Sequence, residues 1–329
     1  MFLRLASAVA LPFVLVWGLT AEAGKVPATV EEQVPVWVTL GTMGGPIPFA
    51  GRSQPANALL WTDEAWLIDC GDGAMEQLAK AGQSPRAAKV LFISHLHFDH
   101  TGGIAALIGL RYQTNAPGKL MIYGPPGTKA LVDGIVASMK PAAEAGYGLP
   151  GEPKVDPADA VIVRELSDGE AVVINGVTVR AVQNSHYSFP PGSAQDRAFK
   201  SYSYRFDLPG RSILYTGDTG PSAAVERLGK GADILISELI DVDATVATVQ
   251  RMAPDQTGPQ LDAMRRHLTE HHLSPEQVGD MAARMRVKRV VLTHLAGPTG
   301  MSDRTSDYAQ TIASRSRVPV SIANDLDRF

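Results

Sequence analysis

The chain has 329 residues, 45% of them hydrophobic and 19% charged, with a net charge of −4 and a pI near 6.1. That is the balance of an ordinary globular protein, long enough for one large domain or two medium ones, and it lacks the overall basic footprint that nucleic-acid binding usually leaves. The single cysteine, Cys70, excludes an intramolecular disulfide framework and a cysteine-based zinc knuckle.

Residues 1–23, MFLRLASAVALPFVLVWGLTAEA, place Arg4 ahead of an apolar run from Leu5 to Leu19 and end on the small-x-small pattern Ala21-Glu22-Ala23. The run is shorter than the roughly 20 residues of a comfortable membrane span. The expectation is a signal peptide over 1–23, no stable membrane anchor after its cleavage, and a bacterial periplasmic or secreted chain. Residues 24–329 then form a single catalytic domain.

Beyond it, strands and helices alternate. VPVWVTLG (34–41) is a strand, and NALLW and AWLIDCG pair as a hairpin over Thr62-Asp63-Glu64. AMEQLAKAG is a helix ending at Gly82, and VLFIS (90–94) is a fully buried strand by its unbroken apolar run. GIAALIGLRYQ, LMIYG and KALVDGIVASMK follow as helix, strand and helix, and the Pro/Gly/Ala-rich stretch 141–159 is a loop or lid. VTVRAVQNS, SYSYRFD and SILYTGD are strands, a helix follows Pro221, and DILISEL is a strand. Two helices fill roughly 243–286; the stretch 242–271 looks like a helical cover over the site, with TVQRMAP and LDAMRRHL as amphipathic pieces for which core packing is favoured over a substrate-contacting lid, and RVVLTHL and VPVSIAND complete the set. Hairpins and crossovers together predict an α/β fold of two mixed β-sheets between helical layers.

On that skeleton the polar residues fall into a pattern. His95, His97, Asp99 and His100 follow the buried strand ending at Ser94, His186 follows VTVRAVQNS, Asp218 ends SILYTGD and His294 ends RVVLTH. Each lies just past the C-terminal end of an apolar strand, the usual rim for an active site. Imidazole and carboxylate without thiolate suit zinc, with manganese or iron also compatible, and so many donors imply two ions, two Zn2+ as the first choice. The grouping favoured is His95, His97 and His186 on one ion, Asp99, His100 and His294 on the other, and Asp218 with a solvent hydroxide between them.

HLHFDH, followed in order by His186, Asp218 and His294, resembles the metallo-beta-lactamase superfamily, and the likeness runs from GTMGGPIP (41–48) to SIAND near the end. The resemblance implies a four-layer αββα sandwich. It also implies that Asp69 in LIDCGDG stands behind the histidine motif, although a turn-capping role before Gly71 fits the sequence equally well. His97 stands where oxygen-reducing members carry glutamate, and Asp218 is an aspartate that the true beta-lactamases generally lack.

The opening Gly41-Thr42 with Gly44-Gly45-Pro46, then Arg52 and NALL, is most similar to ribonuclease Z and the secreted arylsulfatase- and phosphodiesterase-like enzymes. EHHLSPEQVGDMA is similar to their additional histidine motif, which makes His272 a general acid beside the catalytic metal ligand Asp99. His267 and His271 are left as surface residues. The resemblance would pair His272 with a carboxylate three residues before Asp218, but Tyr215 stands there; Glu238 is another candidate, not favoured. The function expected is an exported binuclear-zinc hydrolase of a sulfate or phosphate ester, with a small-molecule ester substrate and no nucleic-acid partner. Lactonase, thioesterase or beta-lactamase chemistry is the alternative. Ribonuclease Z activity and a non-catalytic metal-binding role rank lower, and a homodimer is left open.

Overall fold

Apolar side chains at every second position divide each long strand between two cores. In the third strand Trp66 and Ile68 enter one buried cluster while Ala65, Leu67 and Cys70 enter another, and Val90 and Phe92 alternate with Leu91 and Ile93 in the same way. A strand buried on both faces has no polar side to show, which is why these segments are continuous apolar runs. The computed structural model describes residues 34–45, 47–255, 258–297 and 305–329; the expected signal peptide lies outside the described residues. Among the described residues no helix is long and apolar enough to cross a membrane.

The first sheet has six strands in sequential order, β1 (Val36–Gly41), β2 (Ala56–Leu60), β3 (Ala65–Cys70), β4 (Ala88–Phe92), β5 (Leu120–Gly124) and β6 (Val161–Glu165). The β1–β2 and β2–β3 pairs are antiparallel, and β3 to β6 are parallel. The second sheet contains β7 (Ala171–Ile174), β8 (Val177–Gln183), β9 (Tyr202–Leu208), β10 (Arg211–Tyr215), β11 (Ile234–Ile240), β12 (Arg289–Ala296) and β13 (Val320–Ile322), in the order β13-β12-β11-β10-β9-β8-β7.

The two sheets face each other across an aromatic core that includes Trp37, Trp66, Phe92, Tyr204, Phe206 and Tyr215. Helices Ala74–Lys80, Ile104–Gln113 and Thr128–Ala145 cover the outside of the first sheet, and Ala223–Leu228, Pro275–Met285 and Thr305–Ser316 cover the outside of the second. This is the four-layer αββα sandwich.

The architecture departs from the sequence expectation in several places. Edge strands β6 and β7 and the helix Thr305–Ser316 are not among the expected elements. Helix Thr128–Ala145 runs through Pro141, because Val132, Val136 and their neighbours Leu131, Ile135 and Met139 anchor it to the core against the local cost of a proline. The stretch 141–159, expected as a loop or lid, is loop from 146 to 156, and it is tied to helix Ile104–Gln113, where the Tyr112 hydroxyl donates to the Val155 carbonyl at 2.8 Å. Residues 242–285 hold three helices rather than two, Val242–Met252, Pro259–Glu270 and Pro275–Met285. Only the third packs a continuous buried face; Pro259–Glu270 buries no residue fully, so the core-packing reading of LDAMRRHL does not hold.

The C-terminal segment closes the β1 end of the sandwich through one carboxylate. Asp325 accepts from the Thr42 amide (3.0 Å) and hydroxyl (2.6 Å), the Ser53 amide (2.7 Å) and Gln77 Nε2 (2.6 Å). Replacing Asp325 with alanine strands these donors and should cost about 1–3 kcal/mol or more, read as a lowered urea midpoint; an unchanged midpoint would show that water substitutes fully for the carboxylate.

Candidate metal centre

Two β-bulges build the floor of the site. Between β2 and β3 the register slips so that Ala56 pairs with Cys70 and Asn57 with Ile68, leaving Asp69 unpaired at φ 58°. Between β11 and β12 Ser237 pairs with Leu292 and Leu239 with Leu295, so Glu238 faces the two residues Thr293 and His294, the latter at φ 44°. A bulge re-aims side chains that a regular ladder would bury in the sheet, and left-handed backbone at non-glycine residues is strain held by its surroundings. Here it turns Asp69, Glu238 and His294 toward one point.

Asp69 orients the first motif. Its Oδ1 accepts from the Ser94 amide at 2.7 Å; its Oδ2 accepts from the Ser94 hydroxyl (2.8 Å) and the Tyr215 hydroxyl (2.7 Å) and lies 2.8 Å from His100 Nδ1. The carboxylate therefore holds the His100 ring rather than capping a turn, and Tyr215 belongs to it, not to His272. Similar outer contacts fix two more rings: Ser94 Oγ lies 3.0 Å from His95 Nδ1, and the His271 carbonyl lies 3.3 Å from His186 Nδ1. Each contact engages one ring nitrogen and leaves the other for a metal. Close packing completes the pocket, since a Cβ on Gly45 would fall 2.2 Å from Asp99 Oδ2.

The inward atoms converge in two groups. His97 Nδ1 lies 3.0 Å from His95 Nε2 and 3.1 Å from His186 Nε2. Asp99 Oδ2 lies 3.6 Å from both His100 Nε2 and His294 Nε2. Asp218 Oδ2 adjoins both groups, 3.9 Å from His95 Nε2, 3.3 Å from His100 Nε2 and 3.1 Å from His294 Nε2. All seven expected ligands, His95, His97, Asp99, His100, His186, Asp218 and His294, are thus brought together.

These residues fit a pair of cations on their own chemistry. His100 Nε2, His294 Nε2 and Asp218 Oδ1 are buried without a hydrogen-bond partner, an arrangement native interiors otherwise avoid. Burial among other imidazoles lowers the proton affinity of His95 and His186 well below the usual histidine range, leaving neutral nitrogens of the kind a metal requires. An imidazole and carboxylate donor set divided by one shared aspartate is that of a binuclear zinc centre.

His272 sits beside this centre, in the turn between helices Pro259–Glu270 and Pro275–Met285. Ser274 and Gln277 form a capping box immediately after it, and the Leu273 carbonyl accepts from the Ile240 amide at 3.0 Å, so the turn is pinned to the end of β11. Its Nδ1 lies 2.6 Å from Glu238 Oε2, and the other Glu238 oxygen accepts from the Thr219 amide. Burial alone would lower the His272 pKa, but the Glu238 carboxylate outweighs it and the histidine holds its proton more tightly than usual. Glu238 is the partner the sequence did not favour, hidden in the wholly buried strand ILISELI.

His267 and His271 are not the surface residues expected. The ring of His267 lies 5.3 Å from His186 and 5.4 Å from His272, and its Nδ1 is 2.8 Å from His271 Nδ1. Burial, then neighbouring His272 and His271, bring the His267 pKa down to about 4. All eight histidines of the chain therefore surround one site.

Comparison with known proteins agrees with this geometry. The Beta-lactamase superfamily domain matches residues 65–295, more than half of the chain. The curated protein named Ribonuclease Z from Mycobacterium avium is 28% identical over 294 residues, covering 88% of this chain and 96% of that protein, and a Mycobacterium sp. Ribonuclease Z is 29% identical over 293 residues, covering 88% and 94%. Among solved structures, the metallo-beta-lactamase fold protein YhfI of Bacillus subtilis superposes with a TM-score of 0.62 at 17% identity, covering 90% of this chain and 99% of that one. The short form of human tRNase Z superposes with a TM-score of 0.58 at 24% identity, covering 89% and 98%.

The relatives overturn the expectation of a sulfate- or small-molecule-ester hydrolase with no nucleic-acid partner, because the curated proteins matched along nearly their whole length are named Ribonuclease Z. That expectation leaned on the summed charge of the chain, which says little about the field at one cleft, and on an N-terminal pattern outside the described residues. With the two-sheet sandwich, the paired ligand groups and the family match in place, the chain belongs to the metallo-beta-lactamase superfamily and is a metal-dependent hydrolase.

Proposed function

We propose that this protein is a zinc-dependent endoribonuclease that hydrolyses a phosphodiester bond in RNA. The observation that carries the reading is the buried Glu238–His272 pair, 2.6 Å apart beside the paired metal ligands, in a chain whose curated relatives are named Ribonuclease Z.

His95, His97 and His186 would hold one zinc ion and Asp99, His100 and His294 the other, with Asp218 between them. When bound, the two ions supply Lewis acidity toward phosphate oxygens and a water acidified toward neutrality. The chain's own part in breaking the bond is a proton. Glu238 engages His272 Nδ1, so Nε2 is the ring's remaining donor position and Glu238 fixes the ring in place. A ribose alkoxide is a poor leaving group, and a proton placed on that oxygen as the P–O bond breaks contributes about 10²–10⁴-fold. The water oxygen ends on phosphorus and the His272 proton ends on the ribose hydroxyl, so the products are a phosphate end and a hydroxyl end. His267, neutral at pH 7, narrows the approach to His272 from the helix above.

Zinc-loaded protein should cut a structured RNA carrying an unpaired 3′ tail, and chelation should abolish the cut. Asp218→Asn should lose bound zinc, measured by metal analysis, together with activity. If wild-type protein with full zinc cleaves aryl sulfates or lactones and leaves every RNA intact, the reading fails.

His272→Ala and Glu238→Gln should each slow RNA cleavage by about 10²-fold or more. The same changes should cost bis(p-nitrophenyl) phosphate far less, because nitrophenolate departs without a proton. Equal losses on the two substrates would remove His272 from the acid role.

A further inference from the structure

Immediately after the ligand His186 the chain carries three aromatic rings that lead away from the metals. Tyr187 lies 5.0 Å from the His186 ring and 5.6 Å from the His97 ring, Phe189 lies 5.7 Å from Tyr187, and Phe199 lies 5.9 Å from Phe189. These spacings are those of aromatic neighbours in contact. Tyr187 is half-buried against the ligand rings, but Phe189 is 37% and Phe199 51% exposed. Part of each outer ring therefore faces solvent, where a planar ligand can reach it.

The loop that carries them is built rather than slack. Asp196 accepts from Lys200 Nζ (2.7 Å), the Gly192 amide (2.8 Å) and Gln183 Nε2 (3.3 Å), so one carboxylate ties the middle and the far end of the loop to β8. The Ser193 hydroxyl caps the short helix Ala194–Ala198 by accepting from the Asp196 amide at 3.0 Å, and the Phe199 amide donates to the Gln195 carbonyl at 2.8 Å. Phe189 and Phe199 are therefore presented at fixed positions on the path leading out from His186.

The geometry points to a stacking subsite for the unpaired bases of RNA next to the scissile phosphate, formed by Tyr187, Phe189 and Phe199. It rests on the ribonuclease reading above and adds what that reading lacks, a way to hold the nucleotide beside the bond that breaks. Flat rings in succession suit nucleobases, which present a π-face whatever their sequence. The subsite thus selects single-stranded character without selecting a base.

The test measures affinity, apart from turnover. Phosphorothioate-linked oligoribonucleotides, intact or with one base removed at each position in turn, are titrated against zinc-loaded wild-type protein and against Phe189→Ala, Phe199→Ala and Phe199→Leu by fluorescence anisotropy. Wild type should bind the intact strand roughly ten-fold more tightly than the strand abasic at the stacked position, the order expected for one lost stack. The two alanine variants should lose that preference while keeping their zinc content and melting temperature, and Phe199→Leu should retain little of it. Alanine variants that still discriminate intact from abasic strands would overturn the subsite and leave the ribonuclease reading standing. Wild-type protein that neither binds nor cleaves RNA would overturn both.

Discussion

The carboxylate of Asp69 is the joint on which the site depends. It comes from a bulge in the first sheet, yet one of its oxygens accepts from Tyr215, which belongs to β10 of the second sheet. The same oxygen accepts from Ser94, whose hydroxyl also meets His95, and lies against His100. One buried side chain thus links the two sheets and orients His100 directly and His95 through Ser94. A network with every member engaged rigidifies a core, whereas the same group with a missing partner would be costly in so dry a place. The inter-sheet hydrogen bond from Tyr204 to the Ile93 carbonyl, 2.7 Å, stands close by and adds a second tie. These two ties connect the ligand-bearing strand ends of both sheets.

Buried histidines on this scale are unfavourable for folding. His95, His100, His186, His272 and His294 are each at most 6% exposed, and the Nε2 atoms of His100 and His294 make no hydrogen bond within the protein. Positive φ at Asp69 and His294 adds local strain. These costs are carried by the aromatic inter-sheet core and by the apolar helix faces packed outside the two sheets. The division is spatial: the strand interiors supply stability, and their C-terminal ends hold the groups that would not survive elsewhere.

The ligands were legible in the sequence because each stands just past an apolar run, where a change from continuous hydrophobic residues to histidine or aspartate marks the strand end. His95, His186 and Asp218 follow that rule; His294 ends the apolar run RVVLT in the sequence but lies inside β12, at its bulge. Glu238 breaks it. It sits inside ILISELI, where alternation would bury it uselessly, and only the bulge opposite Thr293 and His294 turns it to His272. A bulge leaves no mark in composition or period, so the partner of His272 could not be read. His267 and His271 were misplaced for a related reason. LDAMRRHL has an amphipathic pattern, but the helix lies over the site rather than on the core, where His267 meets His186 and His272 and the C-cap His271 packs against His267. Sequence period reports which face of a helix is apolar, not what that face meets.

Net charge misled for a different reason. A value of −4 describes the whole surface, whereas a substrate responds to the field at the cleft. The site contains Asp69, Asp99, Asp218 and Glu238, and two zinc ions held there would bring four positive charges to the same place. On the ribonuclease reading, such a protein needs no lysine- and arginine-rich face to attract a phosphate. Basic patches gain affinity by releasing counterions and lose it steeply with salt. Affinity gathered from a metal pair and from stacked rings is concentrated at one phosphate and its neighbouring bases, so most of it is realised where the bond is cut. An acidic chain can therefore be selective for a single-stranded junction while gaining little from binding RNA elsewhere along its length.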